Sequence, residues 1–171
     1  MESLKNKKVI IPIIIAIVII LIGVLSLILS RNGKLELIID EEAKNGITFN
    51  RIIPMNDIQG LGTKEYTFSV TNNSKKSKTY SIYLDDAKIP SSQKRMNDSN
   101  IRYSLTKNGS DENPKELTEL GKNPNRLIDS DSIDSDKIIS YTLKIWLKKD
   151  ISEDDMMTTF KAKLRLEEID K

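Results

Sequence analysis

Cysteine and histidine are both missing from this 171-residue chain. Without cysteine no disulfide can staple a small exported domain, so stability has to come from a packed core. Lipid attachment at an N-terminal cysteine is excluded for the same reason. Without histidine, His-dependent triads, HExxH zinc sites and Cys/His metal clusters drop out together. The chain also lacks an excess of either charge, with 27 basic and 25 acidic residues. Setting aside the first eight residues, which carry three Lys and one Glu, leaves the two signs equal in number. Nothing in that balance suggests a nucleic-acid footprint, and no nucleic-acid partner is expected.

One long apolar run is present. Val9 to Leu29 contains no charged residue, and its one polar side chain is Ser26. Its ~21 residues, rising ~1.5 Å each, make a helix of roughly 30 Å, enough to cross a bilayer core. Pro12 falls in the first turn, where its missing N–H would be unpaired anyway. A signal-peptide core of ~7–15 residues ending in small residues is the alternative. The exit here reads Leu27-Ile28-Leu29-Ser30-Arg31, a poor cleavage site. The expectation is therefore a cytoplasmic tail over 1–8, an uncleaved transmembrane helix over 9–29 and an extracellular domain over 30–171. The short Lys-rich head before the run sets the orientation, since export signals begin that way. The positive-inside bias between the two flanks is slight.

Beyond residue 34 the dominant period is two. Tyr66, Phe68 and Val70 alternate with polar residues, as do Tyr80, Ile82 and Leu84, and Ile101, Tyr103 and Leu105. The same holds for Ile139 through Leu147 on odd positions and for Phe160, Ala162, Leu164 and Leu166. Such alternation puts one face of a strand into a core and the other into water. Leu35–Ile39 and Ile47–Ile53 are two further expected strands, and Asn108-Gly109 ends the Ile101 run. Glu116–Leu120 and Ser152–Met157 can each hold a short helical turn. Short strands split by Asn, Asp, Ser and Gly turns point to an all-β antiparallel β-sandwich, jelly-roll or Ig-like, behind one N-terminal transmembrane helix. Residues 90–100 and 108–125 read as polar loops, the usual carriers of specificity. The three N-x-S sequences at Asn72, Asn97 and Asn108 read as coincidence in so Asn- and Ser-rich a chain.

Few residues suggest chemistry. Ser91-Ser92-Gln93-Lys94 meets the bare S-x-x-K pattern but lacks the supporting SDN and KTG elements, so no catalytic residue is assigned. Asp129, Asp131, Asp134 and Asp136 alternate with hydroxyl residues and, in a loop, supply oxygen ligands of the type Ca²⁺ takes. They lack the glycine and terminal glutamate of an EF-hand, and a soluble turn feeding the Tyr141 strand is the plainer reading. No cofactor is expected beyond that calcium option. Asp150–Asp155 reads as a hairpin connection whose acids discourage edge pairing. Trp146 points away from the Tyr141/Leu143/Ile145/Leu147 face, so either a second layer covers it or it is an exposed interaction residue.

The segment Tyr141-Thr142-Leu143-Lys144-Ile145-Trp146-Leu147, an acidic turn, then Met157-Thr158-Thr159-Phe160-Lys161-Ala162-Lys163-Leu164-Arg165-Leu166 resembles the closing hairpin of small Firmicute surface proteins in the style of the TasA/camelysin group. Tyr66-Thr67-Phe68-Ser69-Val70-Thr71-Asn72 followed by Tyr80-Ser81-Ile82-Tyr83-Leu84 matches the same style, an aromatic strand ending in Asn before the next strand. The resemblance implies a bacterial surface or matrix protein and, in some members, a fibre subunit built by strand exchange. The poor cleavage site departs from the fibre formers.

Three functions follow as expectations. The first is a non-enzymatic, membrane-anchored surface module that contacts a protein partner, matrix or itself, with no small-molecule substrate. The second is a processed biofilm-matrix fibre subunit, and the third an accessory ectodomain of a membrane or secretion complex.

Overall fold

Alternating residues become paired strands in two antiparallel sheets. The computed structural model describes residues 33–50 and 53–169. The apolar run Val9–Leu29 and the tail before it lie outside the described residues. Among the described residues no helix is long and apolar enough to cross a membrane.

The strands are β1 (Leu35–Ile39), β2 (Ile47–Asn50), β3 (Glu65–Asn72), β4 (Lys78–Asp86) and β5 (Ile101–Lys107), then β6 (Ser110–Asp111), β7 (Lys115–Glu116), β8 (Leu127–Ile133), β9 (Ile138–Leu147) and β10 (Thr159–Ile169). One sheet runs β1-β3-β9-β5-β6, with β7 also on β5; the other runs β2-β10-β4-β8. In the first sheet Tyr66 lies opposite Leu143, Phe68 opposite Tyr141 and Val70 opposite Ile139. These rows face Tyr80, Ile82, Leu84, Phe160 and Ala162 of the second sheet in one buried apolar cluster. Phe68 stacks on Tyr141 at 5.0 Å between ring centroids, and Phe49 stacks on Phe160 at the same spacing. From Lys34 onward the described chain is one compact unit.

Turn chemistry agrees with the alternation. Asn108 and Gly109 both take positive φ, 49° and 81°, as a two-residue hairpin between β5 and β6 requires. Asn72, at the end of β3, is fully buried and bonds from its amide to the carbonyls of Lys76 and Ile133, while its oxygen accepts from Ser74 N. An Asn closing that strand is a structural requirement, and its amide is out of reach of any modifying group.

Departures from expectation have local causes. The strand expected over Ile47–Ile53 ends at Asn50 within the described residues, and Ile53 lies outside it, exposed. The 108–125 segment is only partly loop, for it holds β6, β7 and a 3₁₀ turn at Leu117–Leu120. Leu117 and Leu120 are buried there, which anchors a stretch whose composition looked solvated. Among the described residues there are three short α-helices: α1 (Glu41–Lys44), α2 (Asp57–Gly60) and α3 (Glu153–Met156). The third falls in the acidic connection before β10.

At the end of β4 the second sheet is closed by charge. Arg126 is completely buried, and bonds through Nε to Asp98 at 2.8 Å, through Nη2 to Asp86 at 2.6 Å and through Nη1 to the Leu84 carbonyl at 3.1 Å. Arg95 adds bonds to Asp86 and Asp98 from the rim. Two guanidiniums and two carboxylates thus satisfy each other, the condition under which buried charge is tolerated. Burial works against the Asp86 charge, but hydrogen bonds from Arg95 and Arg126, with their charges, outweigh it and hold its carboxyl below the usual 3.8.

Replacing Arg126 by Ala leaves this pocket short of a cation and is expected to cost about 3 kcal/mol in urea denaturation. Because the Asp86 pKa is depressed in the fold, its contribution is present above pH 3.8 and is lost as the pH falls through the lower folded value. Stability of the parent chain is therefore expected to decline below about pH 4, with a shallower decline in Asp86→Asn; equal slopes in the two proteins would contradict the assignment.

Candidate functional site

Two places in the fold gather side chains with chemistry. The first joins the sheets along the flank formed by β5 and β8. Asp129 and Asp131 sit in β8 opposite Ile82 and Tyr80, so the alternation of acids with serines is the period of a strand rather than a ligand loop. The acids turn inward, toward Lys107 of β5 in the other sheet. Lys107 Nζ bonds Asp129 at 2.8 Å and Asp131 at 2.6 Å. Tyr141 donates its hydroxyl proton to Asp129 at 2.6 Å, so the 2.5 Å contact between the Tyr80 and Tyr141 hydroxyls must have Tyr80 as donor. The result is a one-way chain, Tyr80 to Tyr141 to Asp129, capped by a lysine.

The titration behaviour of this cluster follows from its geometry. Burial, then the hydrogen bonds to Asp129 and Tyr80, push the Tyr141 hydroxyl far above its ordinary range, and burial raises Tyr80 as well. Lys107 is pulled down by burial but held up more strongly by Asp129 and Asp131, reaching about 12. Hydrogen bonds from Lys107 and then from Ser132 N–H lower Asp131. Tyr80, Tyr141 and Lys107 all grip their protons more tightly than usual, so none of the three exchanges one near neutral pH. The cluster's work is to tie the sheets together.

Asp134 and Asp136 do not join Asp129 and Asp131. They lie exposed on the turn between β8 and β9, where Asp136 takes φ 57° and donates its N–H to the Asn72 carbonyl. Among the described residues no three His, Cys, Asp or Glu side chains gather as a metal-holding group. Ser91 to Lys94 are all exposed on a turn.

The second place surrounds Trp146, the one tryptophan in the chain. It lies on the outer face of its sheet, in register with Arg102 of β5, yet it is completely buried. A second layer covers it. Asn56 starts α2 with a reciprocal cap, accepting from Gln59 N at 2.9 Å while its own N–H reaches Gln59 Oε1 at 3.1 Å. Asp57 in the first turn receives a two-pronged bond from Arg102, at 3.1 and 2.8 Å, which pins α2 to the sheet. Gly60 then rests on the indole: a Cβ built there would lie 2.2 to 2.4 Å from three indole atoms. Only hydrogen fits, which is the reason for glycine at this position.

Beside this contact is a half-open cleft of about 490 Å³. It opens beyond the Glu65–Lys144 pair, where β3 begins, while β9 continues to Leu147, so both faces of β9 reach it, through Ile145 and Trp146. Phe49, Met55 and Tyr66 complete an apolar wall, and Gln59, Thr63 and Lys64 line the polar side. The Trp146 Nε1–H is buried with no hydrogen-bond partner among the described residues. Sequence reasoning placed Trp146 off the core face but gave no signal for its cover, because residues 55–63 carry no helical or strand period. The Asn56/Gln59 spacing of a capping box was the available clue. No protein family, curated protein or solved structure matches this chain.

Gly60→Ala drives a methyl into the indole and is expected to cost about 1–3 kcal/mol by overpacking, read as a lower denaturation midpoint with a red-shifted, more exposed tryptophan emission. Tyr141→Phe removes the link between Tyr80 and Asp129 and is expected to cost about 2 kcal/mol at pH 7. Because the folded pKa values of Tyr80 and Tyr141 are raised, their contribution is whole below pH 10.0 and is lost as the pH rises through the folded values. Alkaline unfolding monitored by circular dichroism should accordingly have a smaller pH slope in Tyr141→Phe than in the parent chain.

Proposed function

We propose that this protein is a membrane-anchored, cell-surface module whose all-β domain displays contact surfaces for a protein partner or matrix and performs no catalysis. The observation that carries the reading is the uncharged run Val9–Leu29 directly ahead of a domain built from two antiparallel sheets. The rest of the chain supports it. The domain is close to neutral, has no cysteine or histidine, and ties its sheets with side chains that hold their protons near neutral pH. In this reading the two sheets form a jelly-roll-like sandwich, and the likeness to the TasA/camelysin style of surface protein belongs to the same proposal.

A second reading, a processed fibre subunit, draws on one specific feature. β10 pairs with β2 only through Thr159–Ala162, whereas it pairs with β4 through to Ile169. Among the described residues, one side of β10 along 163–169 therefore has no strand partner in its own sheet, and an added strand has a place to dock.

The intact mass of the native protein, taken separately from membranes and from culture medium, decides between them. Full-length protein confined to the membrane fraction is the expected result. A species beginning near Arg31 in the medium, in large assemblies, overturns anchoring in favour of the fibre subunit.

A further inference from the structure

We infer that the open edge of β10 is a self-association surface, on which a second copy of this chain pairs its own β10 antiparallel about a two-fold axis at Leu166. Among the described residues β2 covers that edge only as far as Ala162, and residues 163–169 have β4 on one side and no strand on the other. The backbone is set for pairing. Lys161 turns its carbonyl to the Ala87 N–H on the β4 side, while the Ala162 oxygen faces Gly46 on the β2 side. Directions alternate along a strand, so Leu164, Leu166 and Glu168 present their N–H and C=O groups to the open side. β10 keeps one register with β4 over this whole length.

The order of the side chains selects one partner and one register. Charged residues on an edge usually deter pairing. On the outer face of β10 these are Lys163, Arg165 and Glu167, and their sequence is self-complementary. A two-fold through Leu166 places each Arg165 opposite the partner's Glu167, and each Lys163 opposite the partner's Ile169. An axis at Arg165 sets two arginines face to face and drives the second copy into β2; an axis at Glu167 sets two glutamates face to face. Leu166 is the midpoint of 163–169, so its register is the longest that clears β2. That register also suits the backbone, for Leu166 faces itself and Leu164 faces the partner's Glu168, all from the outward-facing set. The half-buried Leu166 side chains meet across the axis. Arg165 is already fixed along the edge, stacked 4.3 Å over the Tyr83 ring and bonded to Asp85 and to Glu167 of its own strand. Pairing fuses the second sheets of two copies into one, and because a two-fold closes on itself, growth ends at the dimer. A second copy is thus the protein partner of the displayed module. Pairing rests on the anchored reading above in one respect: an edge this short binds weakly, and anchoring raises the effective concentration of copies on one surface.

The chain has no cysteine, so introduced cysteines report the register directly. Lys163→Cys and Ile169→Cys are made separately in the full-length chain, both at exposed positions, and the two proteins are mixed in detergent and oxidised. Facing residues of an antiparallel pair lie within disulfide reach, whereas like positions in the two copies are separated by the length of the edge. The expected result is a disulfide-linked dimer in the mixture and little in either protein alone. Glu167→Arg, added to both proteins, puts arginines of the two copies opposite each other twice and is expected to lower the yield roughly tenfold. A chain carrying both cysteine substitutions is expected to stop at a dimer joined by two disulfides. Cross-linking no stronger in the mixture than in the separate proteins, an unchanged yield with Glu167→Arg, or a ladder of larger species from the doubly substituted chain each overturns the pairing. Anchoring is read from the mass of the native species and pairing from the cross-links, so either can fail without the other.

Discussion

Two tyrosine hydroxyls meet between the sheets, and the proton order they impose settles how one flank of the domain is closed. Tyr80 belongs to the second sheet and Tyr141 to the first, and their contact is short enough that each must know its role as donor or acceptor. Asp129 assigns the roles by accepting from Tyr141. That leaves Asp129 needing a counter-charge, which Lys107 supplies from the facing sheet. Apolar faces alone would allow the sheets to slide or rotate over each other. A directional chain of hydrogen bonds permits one alignment and penalises every other by leaving a buried polar group unpaired.

The same logic recurs at the other charged sites and accounts for a domain with no disulfide. Arg126 brings an otherwise unaffordable charge into the interior, but every prong of its guanidinium points at an acceptor, and Arg95 balances the second carboxylate. Arg102 does comparable work on the outer face, where its grip on Asp57 holds a self-capped turn against Trp146. Each clamp joins segments far apart in sequence. The long-range order that cysteines supply in many small exported domains comes here from arginines and tyrosines with their acids.

How legible this was depended on periodicity. Strands β3, β4, β5, β9 and β10 carry apolar residues on alternate positions and were plain, as were β1 and the end of β5 at Asn108-Gly109. β8 was not. Its sequence Leu127-Ile128-Asp129-Ser130-Asp131-Ser132-Ile133 alternates as faithfully as the others, but with carboxylates where the rest have apolar side chains. A pattern rule that looks for hydrophobic residues sees a solvated turn, or a calcium loop, because the partner that makes inward carboxylates tolerable, Lys107, lies in another strand. The cover over Trp146 was hidden for a related reason. Trp146 left two readings open, a covering layer or an exposed contact, and residues 56–63 supply the cover by capping and by the smallness of Gly60, neither of which has a period.

The strand order has a mechanical consequence. β1 begins at Leu35 opposite Asn72, and the opposite end of that sheet, where β3 starts and β9 ends, borders the Trp146 cleft. A load applied between Leu35 and the cleft end of the sheet therefore pulls β1 along its own axis. Its hydrogen bonds to β3 lie across that axis and share the force all at once, in shear, rather than opening one by one as in a zipper. Such a strand resists tension far better than its five residues suggest.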